Sequence, residues 1–265
     1  MKREAHEYDQ QAVARMALAC LDLTDLNDDS TEDAVRALCD RAMTAFGPTA
    51  AICIWPRFVA AARRHLGPLA PVRIATVVNF PSGDLPVDTV VGETVGAIAD
   101  GADEIDMVIP WRAVKAGDMA KLADLVSVVR AATPRPALLK TILETGELDD
   151  PELVEKAAHI ALASGADFIK SSTGKVKVNA TLETAEIMLE VLRQHSASSG
   201  GHAGLKPAGG IRTVADAAAY FALCERIMGR GWVAPARFRI GASGLLTDIL
   251  ATLEGNTAAR AEGDY

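Results

Sequence analysis

The sequence predicts a (β/α)8 barrel that forms one domain over residues 1–265, and three observations support this fold class. Short apolar runs alternate with segments of helical period from one end of the chain to the other. The apolar runs are continuous, as in parallel strands whose two faces are both buried. At 265 residues and 49% apolar content, the chain has a typical length for such a barrel, and no Pro/Gly/Ser-rich linker divides it.

Eight apolar runs are predicted to form the strands. A doubly wound open sheet is the alternative fold, because a count of short strands from sequence is easily off by one. The predicted strands are residues 17–24, 50–55, 72–78, 104–109, 137–143, 167–172, 204–208 and 238–243.

Amphipathic segments between these runs are predicted to form the helices. The first opens with STED, which resembles a capping box, and the second has Pro56 at its start. We expect residues 196–204 to be an exposed loop and the small, polar tail from about residue 255 to be mobile. The predicted helices are residues 30–46, 56–66, 87–100, 119–132, 150–164, 182–194, 214–228 and 245–253.

The composition argues against several classes of partner. With a net charge of −8, a broad affinity for nucleic acid or anionic membrane is not expected, and no apolar stretch is long enough to span a bilayer. The N-terminus, MKREAHEYDQQ, is too polar for a signal peptide. Four widely spaced cysteines without a CxxC pair favour reduced thiols over disulfides or zinc, which indicates a cytoplasmic protein.

Lys170 and Lys206 each end an apolar run and begin a loop rich in Gly, Ser or Thr, in GADFIKSSTGK and GLKPAGGIR. An ammonium group in a buried strand is costly unless it is paired or neutralised. On neighbouring strands the two lysines would lie about 5 Å apart, and like charges that close favour the neutral amine of one, the form that attacks carbonyls. The pair predicts a Schiff-base site, although either lysine alone is more simply explained as reaching solvent.

In a (β/α)8 barrel, catalytic groups lie at the carboxyl ends of the strands and in the loops that follow. Polar residues at the predicted strand ends are therefore expected to share one face. They are Asp22, Cys53, Asn79, Asp106, Lys140, Lys170 and Lys206.

Three glycine-containing loops follow the last three predicted strands, in STGK, AGGIR and GASG. Backbone N–H groups of such loops, and of the helices behind them, bind oxyanions. Glycines are more often plain turn residues. Three such loops at adjacent strand ends, with Lys175 and Arg212 nearby, favour a phosphate site.

The chain resembles the family of bacterial class I 2-deoxyribose-5-phosphate aldolases. The motifs that carry the resemblance extend from Leu21 to Leu246 in family order: LDLTDLNDD, AAICIWPRF, ATVVNFPSG, GADEIDMVIP, LLKTILETGEL, GADFIKSSTGKV, GLKPAGGIRT and RIGASGLL. The resemblance implies a Schiff-base lyase that needs no metal or cofactor. Such an enzyme cleaves 2-deoxyribose 5-phosphate reversibly to acetaldehyde and glyceraldehyde 3-phosphate, in nucleoside catabolism.

The resemblance also implies roles for individual residues. Lys170 would form the imine, Lys206 would be the cation beside it, and Asp106 would work with Lys206 and a water as the proton relay, unless it only neutralises Lys140 or Lys206. Further contacts to the sugar would come from Asp22, Thr24, Cys53, Lys140, Ser171 and Thr173. The phosphate would be bound by Gly174, Lys175, Gly209, Gly210, Gly241, Ser243 and Gly244.

Three positions qualify the resemblance. Gly244 stands where the family pattern has a second serine, so one hydroxyl donor to phosphate is lost while the backbone N–H remains. Cys53 is expected to pack rather than react. Tyr265 ends the chain, as a tyrosine does in similar bacterial members, although a disordered terminus is the simpler interpretation. We consider a homodimer as the assembly.

Three other functions remain open on the sequence. A different Schiff-base aldolase would use one nucleophilic lysine without the Lys206 partner and would take ketone donors. A non-catalytic phosphosugar-binding barrel would bind its ligand without covalent trapping. A metal-dependent aldolase would lose activity in a strong chelator.

Overall fold

The computed structural model describes residues 9–200 and 202–255 and contains the predicted (β/α)8 barrel. The barrel wall is one eight-stranded sheet in which every neighbouring pair is parallel. Its strands are β1 (Leu21–Asp25), β2 (Ala51–Ile54), β3 (Arg73–Val78), β4 (Glu104–Val108), β5 (Leu138–Ile142), β6 (Phe168–Lys170), β7 (Gly204–Lys206) and β8 (Ile240–Ala242).

The sheet closes on itself, which excludes the doubly wound alternative. Strand β1 pairs with β2 on one side and with β8 on the other. Near β7 and β8, Arg239 N donates to Leu205 O at 3.0 Å and Gly241 N donates to Pro207 O at 3.0 Å. These bonds join the two remaining edges, so the ends of all eight strands surround one barrel mouth.

Helices connect the strands, and each of the eight predicted helices overlaps an observed helix. The structure adds a helix before β1 and two short helices after β4 and β5. It also adds a small hairpin, Met43–Thr44 with Gly47–Pro48, where the first predicted helix was extended too far. The helices are α1 (Gln10–Ala19), α2 (Glu32–Ala42), α3 (Val59–Leu66, preceded by a 3-10 turn at Pro56–Phe58), α4 (Val87–Ala99), α5 (Trp111–Lys115), α6 (Met119–Ala132), α7 (Thr145–Leu148), α8 (Pro151–Ala163), α9 (Leu182–Ser199), α10 (Val214–Met228) and α11 (Leu245–Leu253).

The start of the first predicted strand is wrong. Residues 17–19 belong to helix α1, whose N-terminus is capped by the Asp9 side chain accepting from Gln11 N. The helix buries Val13, Ala14, Ala17 and Leu18, which share one face at helical spacing. An alanine-rich run next to a strand is apolar in either conformation, so the apolar pattern alone extended the strand too far.

The predicted loop at residues 196–204 is also wrong at its start, although the next strand begins at residue 204 as predicted. Helix α9 continues to Ser199 and ends at Gly200, which adopts the left-handed conformation (φ 65°) typical of a glycine after a helix. Strand β7 then begins at Gly204. The predicted mobile tail, with Tyr265, lies outside the described residues from position 256 onward.

The main apolar core lies between the outer face of the barrel and the helices. The barrel interior differs, because its apolar part is small. It contains a cluster of Leu26, Ala51, Cys53, Ala75 and Val77. Phe168 is a further apolar side chain of the interior, with the Arg239 guanidinium 5.8 Å from its ring. Charged side chains, which the next section describes, occupy much of the rest. In the part of the chain that is described, no helix has the length and apolar character needed to cross a membrane.

Candidate active site

Lys170 and Lys206 are direct neighbours across two strands, as the sequence predicts. They face each other in the register of β6 and β7. Both ammonium groups donate to the same oxygen, Asp106 Oδ2, Lys170 at 2.8 Å and Lys206 at 2.7 Å. The Lys170 side chain is 4% exposed and that of Lys206 is fully buried. One carboxylate therefore holds two cations together at the barrel mouth.

Further charged side chains lie deeper in the barrel and contact Asp106 and Lys206. Lys140 Nζ donates to Asp106 Oδ1 at 2.7 Å and lies 2.6 Å from Glu104 Oε2. Lys206 Nζ also lies 2.5 Å from Asp22 Oδ2. Consecutive contacts of less than 3 Å thus link five buried charged residues without an intervening apolar layer.

Arg239 closes the network at its lower end. Its guanidinium group lies 2.7 Å from Asp22 Oδ1 and 2.7 Å from Glu104 Oε1. Arg73, the first residue of β3, lies 3.6 Å from Glu104 Oε1, and its side chain is 48% exposed. Four buried cations, one of them Lys170, therefore face three buried carboxylates in the barrel interior.

The carboxylates are held in their charged form. Burial by itself would raise the pKa of Asp106, but the ammonium groups of Lys140, Lys170 and Lys206 hold it well below its ordinary value of 3.8. The pKa of Asp22 is lowered against the effect of burial by Lys206 and then Arg239. Likewise, Lys140 and Arg239 lower the pKa of Glu104.

The fully buried cations are held in their charged form as well. Burial would lower the pKa of Lys206, but Asp106 and Asp22 raise it above its ordinary value of 10.5. Asp106 and Glu104 raise the pKa of Lys140 in the same way. Lys206 and Lys140 thus remain ammonium groups near neutral pH and keep Asp106 ionised.

Some of the predicted residues lie deeper than the sequence suggested. Asp22, Asp106 and Lys140 are inside their strands rather than at the carboxyl ends, and all three are fully buried. Sequence reasoning also missed Glu104 and Arg239. The signal was present, because side chains two positions apart in a strand share a face. Glu104 precedes Asp106 by two positions, so it had to point into the barrel as well.

A cleft of about 570 Å³ opens at the barrel mouth beside Lys170. Its volume is in the range of small-molecule sites. The cleft brings together Lys170 and all three predicted glycine-containing loops. It is lined by Thr24, Leu26, Asn27, Lys170, Thr173, Gly174, Lys175, Asn179, Ala208, Gly209, Gly210, Ile211, Arg212, Gly241, Ala242, Ser243 and Gly244.

Two glycines in this lining are required by the geometry. Gly209 has a φ of 83°, and a Cβ added there would lie 2.7 Å from the Asn179 side chain. A Cβ on Gly241 would lie 2.9 Å from Ala208 Cβ and 3.2 Å from Lys206 Cε. Bare backbone at these positions lets the loops approach one another, which exposes peptide groups to the cleft.

The cleft also contains the start of helix α11. Gly244 is its N-cap and provides no side-chain hydrogen bond to the first turn. The first N–H groups of a helix have no partner within the helix, so this end attracts anions. Lys175 and Arg212 add positive charge to the same cleft, and Lys175 Nζ donates to Leu26 O at 2.8 Å.

The other predicted sugar contacts fall into two groups. Thr24 and Thr173 line the cleft, with Thr24 Oγ1 donating to Asp22 O at 2.9 Å. Ser171 is buried, and its Oγ accepts from Ala208 N at 3.0 Å, which ties the end of β6 to the segment after β7. Cys53 is buried beside the lysines, and burial raises the pKa of its thiol.

Within residues 9–200 and 202–255, no group of three or more His, Cys, Asp or Glu side chains is arranged to hold a metal ion. The carboxylates of the barrel are instead occupied by lysine and arginine side chains.

The lowered carboxylate pKa values predict a specific acid sensitivity. Asp22, Glu104 and Asp106 have lower pKa values in the folded protein than their ordinary 3.8 to 4.5. Their contribution to the free energy of unfolding is therefore full above about pH 5 and is lost progressively as the pH falls further. Urea denaturation between pH 3 and 8 should show this loss.

A matched pair of variants tests that assignment. Asp106→Asn should lower stability at pH 7 by about 3–5 kcal/mol, because buried cations lose a partner, and should flatten the acid limb. Asp33→Asn removes an exposed carboxylate on α2 and should leave both unchanged. Equal acid limbs in the unmodified protein and Asp106→Asn would contradict the prediction.

Comparisons with known proteins agree with this geometry. The chain is 56% identical over 252 residues to a deoxyribose-phosphate aldolase of Agrobacterium fabrum, with 95% of this chain and 96% of the relative aligned. Among solved structures, a protein from Toxoplasma gondii that is provisionally named as a deoxyribose-phosphate aldolase superposes with a TM-score of 0.86. It is 29% identical, and the match covers 93% of this chain and 96% of that one.

A more distant structure shows the same fold. The deoxyribose phosphate aldolase of Aeropyrum pernix, described as a tetramer, matches at a TM-score of 0.71 and 21% identity, covering 94% of this chain and 98% of that one. The model of the DeoC/LacD aldolase family matches residues 16–246, which include every strand of the barrel. This chain therefore belongs to the DeoC/LacD family of aldolases.

Proposed function

We propose that this aldolase cleaves 2-deoxyribose 5-phosphate reversibly to acetaldehyde and glyceraldehyde 3-phosphate through an imine on Lys170. The observation that carries the proposal is the sharing of Asp106 Oδ2 by Lys170 and Lys206 next to a cleft lined by three glycine-containing loops. The substrate named for the Agrobacterium fabrum relative supports the same assignment.

Lys170 is the cation best suited to act as nucleophile. It lines the cleft, whereas Lys140 and Lys206 do not. Lys140 and Lys206 each contact two carboxylates at 2.7 Å or less, and Lys170 contacts Asp106 alone. Four buried cations against three carboxylates leave one surplus positive charge in the barrel interior, and crowded like charges favour a neutral amine.

The imine provides the electron sink for bond cleavage. The Lys170 amine attacks C1 of the open-chain sugar, and loss of water gives a protonated imine. The C2–C3 bond then breaks: its electron pair moves toward the imine nitrogen to form an enamine, and the C3 hydroxyl gives up its proton as C3 becomes the aldehyde of glyceraldehyde 3-phosphate. C2 of the enamine takes a proton, and water releases acetaldehyde and regenerates the amine.

Asp106 and Lys206 are placed to move these protons. Asp106 contacts Lys140, Lys170 and Lys206 at 2.7–2.8 Å, so a proton can pass between the amine and its neighbours over hydrogen-bond distances. We propose that Lys206 and Asp106, with a water molecule, form the relay. Neutralisation of Lys140 by Asp106 is compatible with this role.

We assign the phosphate of the substrate to the glycine-containing end of the cleft. Gly174, Gly209 and Gly210 have φ values of 81°, 83° and 86°, and all three line the cleft. Lys175 and Arg212 supply charge, and the N-terminus of α11 adds N–H donors. Gly241, Ser243 and Gly244, which also line the cleft, complete the predicted phosphate contacts.

Assembly and location are part of the proposal. We propose that the chain is a single-domain cytoplasmic enzyme of nucleoside catabolism that acts on phosphosugar and aldehyde substrates. A homodimer is the assembly we favour, while the Aeropyrum pernix relative is a tetramer.

A retro-aldol assay tests the proposal. The purified protein should release equal amounts of acetaldehyde and glyceraldehyde 3-phosphate from 2-deoxyribose 5-phosphate, with full activity in a strong chelator. Release of a ketone from a ketose phosphate instead would favour a different Schiff-base aldolase. Binding without cleavage would favour a phosphosugar-binding barrel, and loss of activity in chelator a metal-dependent aldolase.

Gly244 offers a test of the phosphate assignment. It has a φ of −98°, and a Cβ added there meets no atom within 4 Å, so serine fits without strain. We expect Gly244→Ser to lower the KM for 2-deoxyribose 5-phosphate by about fivefold, because one hydrogen bond contributes about 1 kcal/mol. The KM for unphosphorylated 2-deoxyribose should stay unchanged. Gly244→Ala is the control, and an equal effect of both variants would contradict the assignment.

A further inference from the structure

Glu144 has an unusual environment for a charged residue. It lies just after β5, it is fully buried, and it does not line the cleft. Its backbone adopts the left-handed conformation, with φ 53° and ψ 57°, which residues other than glycine seldom adopt. A buried carboxylate held in such a backbone indicates that the surrounding contacts determine its position.

Glu144 and its two neighbours in the chain form hydrogen bonds with the end of β6 and the loop that follows Lys170. Glu144 Oε1 lies 2.7 Å from Ser172 Oγ and accepts from Thr173 N at 3.1 Å. On either side of Glu144, Leu143 N donates to Lys170 O and Thr145 N donates to Ser171 O, both at 2.9 Å. The carboxylate thus binds the β6 loop immediately before its phosphate-binding part.

The contacts continue from Ser172 into the cleft. Ser172 Oγ accepts from Gly174 N at 3.1 Å and lies 3.0 Å from Asn179 Oδ1. Asn179 in turn packs against Gly209, where an added Cβ would lie only 2.7 Å away. Gly174, Asn179 and Gly209 all line the cleft. Glu144 therefore stands behind two of the three glycine-containing loops.

We propose that Glu144 is a positioning residue that sets the shape of the phosphate end of the cleft, and so the preference for phosphorylated over unphosphorylated sugars. This inference rests on the proposed function. Glu144 acts through Ser172 and Thr173 and does not touch the substrate. Without its carboxylate, Ser172 Oγ and Thr173 N lose their anchor, and the N–H group of Gly174 loses its fixed direction.

The test compares the substrate with and without its phosphate. We expect Glu144→Ala to lower kcat/KM for 2-deoxyribose 5-phosphate at least tenfold, mainly through KM, and to change kcat/KM for 2-deoxyribose less than twofold. Borohydride trapping with acetaldehyde, which has no phosphate, should proceed at the unmodified rate. An equal loss with both sugars, or no loss with either, would overturn the inference.

Two further variants keep the test decisive. Ser172→Ala interrupts the same chain of contacts without removing a buried charge, and it should show the same selective loss even if Glu144→Ala fails to fold. Glu147→Ala removes the other carboxylate of the same turn and should leave the preference unchanged. Among the described residues, the Glu147 carboxylate makes no hydrogen bond to the β6 loop. A selective loss in Glu147→Ala would show that the turn, not the Glu144 contact, is responsible.

Calorimetry with inorganic phosphate separates this inference from the proposed function. The dissociation constant for phosphate should rise at least fivefold in Glu144→Ala and stay constant in Glu147→Ala. If the unmodified protein binds phosphate but does not cleave the sugar, the proposed function fails, and the difference between the variants still decides the role of Glu144. Equal phosphate affinity in all three proteins overturns the inference whatever the outcome for turnover.

Discussion

Replacing Lys170 with leucine should lower turnover of 2-deoxyribose 5-phosphate by at least about 10⁴-fold, the order of effect seen when a catalytic nucleophile is removed. The variant should remain folded, since Asp106 keeps Lys140 at 2.7 Å and Lys206 at 2.7 Å. It would leave three buried cations facing three carboxylates. The measurement is the steady-state retro-aldol rate, with circular dichroism and thermal unfolding to verify the fold.

Lys175→Leu is the matched control for that loss. Lys175 lines the same cleft and donates to Leu26 O, but it does not contact Asp106. This variant should raise the KM for the phosphorylated sugar and retain adduct formation with acetaldehyde. Residual turnover in Lys170→Leu within tenfold of the unmodified protein would mean that the imine forms elsewhere or not at all.

Replacing Lys206 with leucine should slow the reaction by about 10² to 10⁴-fold and move the pH profile of kcat/KM toward higher pH. The reason is the charge balance of the barrel. With Lys206 gone, the positive charge of Lys170 is no longer in surplus, because three cations then face three carboxylates. The repulsion between two neighbouring ammonium groups, which favours a neutral amine, is then lost, so we expect kcat/KM to rise only at higher pH.

The fold should survive the Lys206 substitution. Asp22 keeps Arg239 at 2.7 Å, and Asp106 keeps Lys140 at 2.7 Å. Lys177→Leu removes an exposed lysine of the β6 loop and should leave the pH profile in place, because exposed charges are screened. If Lys206→Leu is slower but has an unchanged pH profile, the electrostatic part of the mechanism is wrong.

Much of the barrel could be predicted from sequence because its strands are buried on both faces. Each of the eight predicted strands overlaps an observed one, and helices α6, α10 and α11 have their predicted bounds. Helices α1, α5 and α7 were not predicted. The other errors fall at the ends of elements, where an apolar residue fits either conformation. The alanines of α1 before β1 and the serines at the end of α9 are the main cases.

The sequence predicted those parts of the site that recognisable motifs mark. The neighbouring lysines follow from two strands that end alike, and the cleft loops follow from glycines after adjacent strands. Glu104 and Arg239 were within reach, since each lies two positions before a residue of the site and so shares its face of the strand. Glu144 was not, because its left-handed backbone and its contact to Ser172 depend on the tertiary structure.

Trapping of the imine tests the central claim most directly. The unmodified protein is incubated with 2-deoxyribose 5-phosphate or acetaldehyde, reduced with borohydride, digested and mapped by mass spectrometry. We predict one two-carbon adduct from acetaldehyde, on the peptide that contains Lys170 and at no other lysine, dependent on substrate. A reduced adduct on Lys140 or Lys206, or turnover of the sugar without any adduct, would contradict the account.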